Sequence, residues 1–437
     1  MNPAWRQAAG TGNRAAPYRR RHLSVLTAAL LVAACSPAAV ERDEGRGHVF
    51  GTLQTMAEKA QLERSKGIRV AHLQIFWDRY ETAEGHFSSR YLDSVRSSLE
   101  RLQRAGSLIE VSLGLHHAPD WLFDEYPEAA YVDQDGNRLT DAPNMVFSQT
   151  VREKAQRYVE RVDREIGLDN FWAIRVGVSG TGEFGYPSGD GDNSYWAFDA
   201  NAQSPDRAGR PPGTPANPSP GWKPGQRDYG GREFTEAQVS TWYDWYLLAL
   251  SNAVNWQIEF YRSLRYSGYL KVLLAGSGYY PRDLRRAVQR HLDESAGNRL
   301  VTLGVGFFRT LGQIRHRHNV QIVPTSLVDG TGKPRNNGCS PEDPEVNVLA
   351  PPDRVHDEWS SMRWVSRAAR QHGFTLLSGE SAGTRVSPYY PGVMSAAARQ
   401  MDTCGLRGLM WAFDSNLYDG TPGSSLADYS AMISRYD

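Results

Sequence analysis

What most constrains this chain is a repeating alternation of short apolar runs with longer stretches of helical spacing. The runs fall at 49–53, 69–76, 108–115, 171–178, 270–275, 300–306, 374–378 and 406–413. Helical patterns lie between them at 88–105, 150–166, 235–264, 281–293 and 358–372. Strands that alternate with helices pair in parallel, and eight such units predict a single (β/α)₈ TIM barrel of class α/β. An open doubly wound sheet is the rival. It would carry a glycine-rich phosphate turn after its first strand, and none follows residue 53 here.

One barrel accounts for the length, because 437 residues with 40% hydrophobic content supply a sizeable core without a second domain. No internal repeat divides the segment 48–437, which reads as one catalytic domain. The connections after the third, fourth and sixth runs (116–149, 179–234 and 307–357) are long, whereas the returns to each strand are short. Within them, 201–227 is rich in Pro, Gly and Ser and reads as a loop excursion, since the alternation resumes after it.

The N-terminus reads as an address. Arg19, Arg20 and Arg21 precede an apolar run that ends at Cys35, too short to span a bilayer as a helix. The tetrad Val32-Ala33-Ala34-Cys35 resembles a bacterial lipobox. That resemblance implies a signal peptide over 1–34, lipidation of Cys35, a tether over 35–47 and a bacterial membrane as partner through the lipid anchor. The chain is then exported and held on the periplasmic or cell-surface side. Removing the first 34 residues takes away five Arg and no acid, leaving 44 basic against 49 acidic residues, or −5. A mildly acidic surface without basic clusters argues against nucleic acid as a partner. The oligomeric state is left open. The two remaining cysteines, Cys339 and Cys404, fall on opposite ends of the expected barrel, so both are expected to be reduced.

Two acids stand at strand ends. Glu183 follows the fourth strand in Val178-Ser-Gly-Thr-Gly-Glu183-Phe-Gly-Tyr186-Pro187, where small residues allow a sharp turn. Glu380 follows the seventh in Thr375-Leu-Leu-Ser-Gly-Glu380-Ser-Ala-Gly383. Either alone could be a solvated or salt-bridged group. Together, at the mouth of a barrel, they match what glycosidic cleavage requires, one carboxyl to protonate the leaving oxygen and another to attack or to activate water. The chain carries 12 Trp and 21 Tyr, whose flat apolar faces suit sugar rings. His116 and His117 lack a third residue at metal-ligand spacing and read as sugar-hydroxyl ligands; no metal and no cofactor is expected.

Two blocks carry a family resemblance. Ile68-Arg69-Val-Ala-His72-Leu-Gln-Ile-Phe-Trp77 running on to Gly85-His-Phe87, and His116-His117-Ala-Pro119-Asp-Trp121-Leu122 with Tyr126-Pro127 and Asp133-Gln-Asp-Gly136, resemble the second- and third-strand regions of glycoside hydrolase family 42 β-galactosidases. The resemblance implies a clan A retaining glycosidase with Glu183 as acid/base and Glu380 as nucleophile. Substrate contacts are expected from Arg69, Trp77, His116, His117, Trp121, Tyr186, Tyr279, Trp411 and Asp414, and Trp411 resembles the platform under the reacting sugar. Arg69 and Tyr279 are the expected donors to Glu380. One departure is Gly182, where the clan has Asn before its acid/base. The Gly-Glu-x-x-Tyr-Pro-Ser context around Glu183 and Gly379-Glu380-Ser381-Ala382 instead resemble the inverting β-amylases. Three readings therefore stand: a retaining, β-galactosidase-like hydrolase, an inverting α-glucan hydrolase, and a glycan-binding surface lipoprotein without catalysis. The presence of both acids favours an enzyme.

Overall fold

The computed structural model describes residues 47–189, 193–206, 208–328, 338–381 and 392–436. The expected signal peptide, Cys35 and nearly all of the tether lie outside them. Eight parallel strands form the barrel: β1 (Val49–Thr52), β2 (Val70–Gln74), β3 (Leu108–Ser112), β4 (Ala173–Val176), β5 (Tyr269–Leu274), β6 (Val320–Pro324), β7 (Gly379–Glu380) and β8 (Gly408–Trp411). Around them run α1 (Ala60–Ser65), α2 (Ser89–Arg104), α3 (Gln149–Ile166), α4 (Glu236–Ser263), α5 (Pro281–Gln289), α6 (Ser361–Gln371), α7 (Val393–Thr403) and α8 (Leu426–Tyr436). The pairing order is β6-β5-β4-β3-β2-β1-β8-β7. A parallel bridge, Ile322↔Leu377, brings the two ends of the sheet together. The fold is thus the expected (β/α)₈ barrel.

Local chemistry explains several boundaries. Ser88, Ser148 and Ser360 cap α2, α3 and α6 by accepting backbone N–H bonds from Tyr91, Val151 and Arg363. Thr235 and Gln238 form a reciprocal capping box at the start of α4. Along each strand, side chains alternate between the helices and the barrel interior. The interior-facing series begins with a low apolar layer from Val49, Val70, Ala173, Tyr269 and Met410. Two residues further on come His72, Glu110, Arg175 and Lys271, so the next layer up is ionic rather than apolar.

Two strand expectations shift. Residues 300–306 are not the sixth strand; they form turns whose Val301 and Val305 are buried. Their carbonyls accept from Tyr186 N at Leu303 (2.9 Å) and from the Tyr243 hydroxyl at Val301 (2.7 Å), so the apolar run plugs the space beside β5. The true β6, Val-Gln-Ile-Val-Pro, follows directly on an Arg- and His-rich stretch and ends in Pro. The seventh strand lies at 379–380 rather than 374–378, which puts Glu380 in the strand itself.

The cysteines are also corrected. Cys339 and Cys404 form a disulfide with Cα atoms 4.8 Å apart. The connection after β6 does not stay at the upper face. Val348 N–H donates to Gln371 at the end of α6, and Arg370 donates to the Cys404 carbonyl, so this segment lies against the lower rim where α7 ends.

Candidate active site

Glu183 is delivered by a turn. After β4 the chain doubles back, with the N–H groups of Val178 and Ser179 donating to the Glu183 carbonyl at 2.9 and 3.0 Å. Two glycines make this possible. Gly182 has φ +75°, and a Cβ on Gly177 would sit 1.9 Å from the Gly182 carbonyl oxygen. The carboxyl emerges half-buried at the C-terminal mouth. Its Oε2 accepts from the Thr181 hydroxyl at 2.9 Å, and its Oε1 lies 2.6 Å from Thr325 Oγ1, just past β6. Thr325 Oγ1 is also 3.3 Å from the Leu274 carbonyl. A hydroxyl has one proton, so when Thr325 donates to Leu274 it can accept from a protonated Glu183. The cradle accommodates the acid and the carboxylate alike.

Glu380 sits in the opposite environment, only 2% exposed. Arg175 of β4 grips it with both arms, Nη1 to Oε1 at 2.6 Å and Nη2 to Oε2 at 3.2 Å. Arg175 Nη1 also donates to Glu110 Oε1 of β3 at 2.8 Å, and Lys271 of β5 donates to Glu110 Oε2. Two cations and two carboxylates thus alternate through the barrel interior. Burial raises the Glu380 carboxyl, and Arg175 opposes that rise. Burial would raise Glu110 too, but Lys271 and then Arg175 outweigh it and hold it at about 2. His72 of β2 is kept neutral, pushed down to about 3 by burial and then by Arg175.

His116 stands against the Glu183 turn, since a Cβ on Gly182 would lie 3.0 Å from its ring. Burial, then His117 and Arg175, push it down to about 3. A small cavity of about 30 Å³, room for about two waters, is lined by Ser112, His116, Arg175, Thr181, Gly182 and Gln257. It connects the underside of the Glu183 turn to Arg175. Among the described residues no group of three His, Cys, Asp or Glu side chains is placed to hold a metal.

The structure therefore brings Glu183, Glu380, His116 and His117 to the upper half of the barrel. Of the other expected contacts only Arg69 lies at the opposite end; the rest lie at or past the C-terminal ends of strands but are taken up in packing and internal hydrogen bonds. Arg69 precedes β2 and sits at the lower end, so Arg175 takes the role expected of it. Tyr279 is buried, with its hydroxyl 2.9 Å from Tyr243, and does not reach Glu380 as a donor. Trp77 stacks on Tyr158 and donates to Glu81 Oε2 at 2.7 Å, while Trp121 donates to the Glu81 carbonyl. Tyr186 stacks on Tyr246 with centroids 4.0 Å apart. Trp411 donates to Ser424 Oγ, and Asp414 accepts from Met56 N. The five aromatic residues are closed to solvent or nearly so, because large rings gain most by packing into the wall, and Asp414 is buried as well. The sequence reading missed Glu110, Arg175 and Lys271. Their signal was a lone charge in the middle of three successive apolar strands, a placement rare unless the charge is paired.

A family model described as β-galactosidase, that of glycoside hydrolase family 42, matches residues 51–170, from β1 through α3. Among solved structures, the catalytic domain of β-amylase from Paenibacillus polymyxa is similar, with a TM-score of 0.57 and 16% identity over 89% of this chain and 98% of that one. A β-galactosidase from the psychrophilic Marinomonas ef1 is similar with a TM-score of 0.54 and 12% identity, over 88% of this chain and 59% of that one. The β-galactosidase of the Antarctic haloarchaeon Halorubrum lacusprofundi gives 0.52 and 14%, over 89% and 58%. The chain thus spans less than two thirds of the β-galactosidases it matches. The fold is the barrel of these solved structures, and the family-model match over residues 51–170 supports a glycoside hydrolase. The more particular likeness, carried by residues 51–170, is to the catalytic barrel of family 42 β-galactosidases.

Proposed function

We propose that the protein is an exported β-glycosidase that cleaves an O-glycosidic bond of an oligo- or polysaccharide with retention, and that its substrates are β-galactoside-like. The observation that carries this reading is the contrast between the two carboxyls. Glu380 is buried and gripped by a guanidinium, as suits a group that must attack as a carboxylate. Glu183 is half-buried at the mouth in a cradle of hydroxyls that tolerates a proton.

In the first step a Glu380 oxygen attacks the anomeric carbon while the bond to the leaving oxygen breaks and Glu183 supplies that oxygen with its proton. In the second, Glu183 takes a proton from water, the hydroxide attacks the same carbon, and Glu380 departs as a carboxylate. His116 and His117, both neutral hydrogen-bonding rings at the mouth, contact sugar hydroxyls.

The inverting alternative keeps the same two residues, with Glu380 activating water instead of bonding to the sugar. The Gly182-Glu183-Phe-Gly-Tyr186-Pro-Ser context and the likeness to a β-amylase barrel over nearly its whole length favour it. Proton NMR of the first-formed sugar decides. A β-anomer from p-nitrophenyl β-D-galactopyranoside supports retention, and an α-anomer sinks it. The export reading rests on Cys35 and is tested separately. In a bacterial host Cys35→Ser should move the protein out of the membrane fraction, and a wild-type protein that is wholly soluble there refutes the anchor.

A further inference from the structure

The ionic layer under the mouth reaches beyond the residues that meet a substrate. Glu110 is fully buried, and Lys271 is 1% exposed. They pair with each other, and the Glu110 carboxylate shares the Arg175 Nη1 group with Glu380. Arg175 therefore has two acceptors that compete for it. Anything that weakens Glu110 as an acceptor frees Arg175 for Glu380, and anything that strengthens Glu110 draws it away. Lys271 is what neutralises Glu110.

We propose that Glu110 and Lys271, neither of which touches Glu380, are positioning residues that act through Arg175 to set the orientation and ionisation of Glu380. The inference rests on reading Glu380 as the working carboxylate. The described groups that face this cluster are consistent with a relay confined to these four residues; Tyr266, ahead of β5 and near Glu110, is kept protonated by burial. From β2 comes His72, held neutral; from the loop after β3 comes His116, also held neutral. β6 contributes Gln321, which accepts from Ser378, and β8 pairs with Glu380 through Met410; neither titrates. From the turn after β4 comes Glu183, whose carboxyl oxygens bond to Thr181 and Thr325 rather than to the layer. Burial alone would leave Glu380 poorly ionised; Arg175 and Lys271 oppose that, and Glu110 adds to it.

The experiment reads Glu380 directly. The full-length protein is labelled with glutamate bearing ¹³C at the side-chain carboxyl, and the Glu380 resonance is assigned by its loss in Glu380→Gln. Its titration is followed in wild type, Glu110→Gln, Lys271→Met and the charge-balanced double variant. Glu110→Gln should lower the midpoint and Lys271→Met should raise it, each by about one pH unit, and the double variant should return close to wild type. The acidic limb of kcat/KM on p-nitrophenyl β-D-galactopyranoside should move with the same signs. A purely structural role would shift stability and not produce opposite signs that cancel. If one single variant fails to fold, the sign of the other decides. Midpoints that do not move, or that move the same way in both single variants, overturn the proposal even if the enzyme is active. Conversely, opposite shifts in a protein that hydrolyses no β-glycoside would uphold the relay and remove the β-glycosidase reading.

Discussion

Two pairs of buried carboxyls in this barrel are neutralised by different means. Glu110 and Glu380 are held by Arg175 and Lys271, so two negative charges meet two positive ones. Glu63 of α1 and Asp414, just past β8, are 1% and 0% exposed and act on each other, and among the described residues neither has a cation in ion-pair reach. The Tyr418 hydroxyl donates to Glu63 Oε1 at 2.7 Å and Met56 N–H to Asp414 Oδ2 at 2.7 Å. Burial, then the hydrogen bond and charge of Asp414, push Glu63 up to about 8, so this pair retains a proton at neutral pH. A buried carboxyl is stabilised by a cation or by a proton, and the pair that retains a proton has one charge fewer to stabilise.

The comparison would break most visibly in turnover. Glu380→Gln should lower kcat/KM by at least about a thousandfold, since nothing else supplies an attacking or activating carboxylate. Glu183→Gln should lose a similar amount on substrates whose leaving group needs a proton, and much less on activated aryl glycosides. Glu63→Gln, in the proton-matched pair, should stay within about threefold of wild type. Steady-state kinetics on one aryl glycoside compares all three, and a large loss in Glu63→Gln would mean that the two pairs do not differ in role. In the wild type, activity should fall as pH drops through the Glu380 midpoint, which burial places above the ordinary glutamate value.

Stability separates the pairs by sign. Arg175→Met would leave two buried carboxylates facing Lys271 alone, and removal of one partner from a buried ion pair costs about 3–5 kcal/mol. Urea unfolding at pH 7 measures it. A loss under about 1 kcal/mol would show that the layer is wetter and weaker than its geometry suggests.

How much of this was legible in sequence depended on whether a signal was local. Glu183 could be found because small residues before it allow a turn at a strand end, and Glu380 because an apolar run leads straight to it. The family-like blocks at β2 and β3 coincide with the matched region 51–170. Arg175, Glu110 and Lys271 were visible as single charges in apolar strands, but only closure of the barrel tells that they meet. The aromatic side chains failed for the reverse reason: Trp77, Tyr186 and Tyr279 carry the composition of a sugar cleft, yet a ring's apolar area is satisfied equally by core packing. The pairing of Cys339 with Cys404 depended on where a long connection travels, which no local pattern records.

The smallest expected effect tests the proton-matched pair itself. Glu63 has an ordinary midpoint of 4.5 and a folded one of about 8, so between those values the folded state binds a proton that the unfolded state has released. Stability contributed by that proton is fully present below about pH 4.5 and declines as pH rises towards 8. Glutamine presents the same shape, replaces the shared proton with an amide donor to Asp414, and does not titrate. Glu63→Gln should therefore leave stability near pH 4.5 almost unchanged and raise it by about 1–2 kcal/mol at pH 8. The melting temperature of the variant should consequently fall less between pH 5 and pH 8 than that of the wild type, by about 2–4 °C. Parallel melting curves across that range would mean that Glu63 and Asp414 carry no shared proton, and the contrast between a proton-matched and a cation-matched pair would go with it.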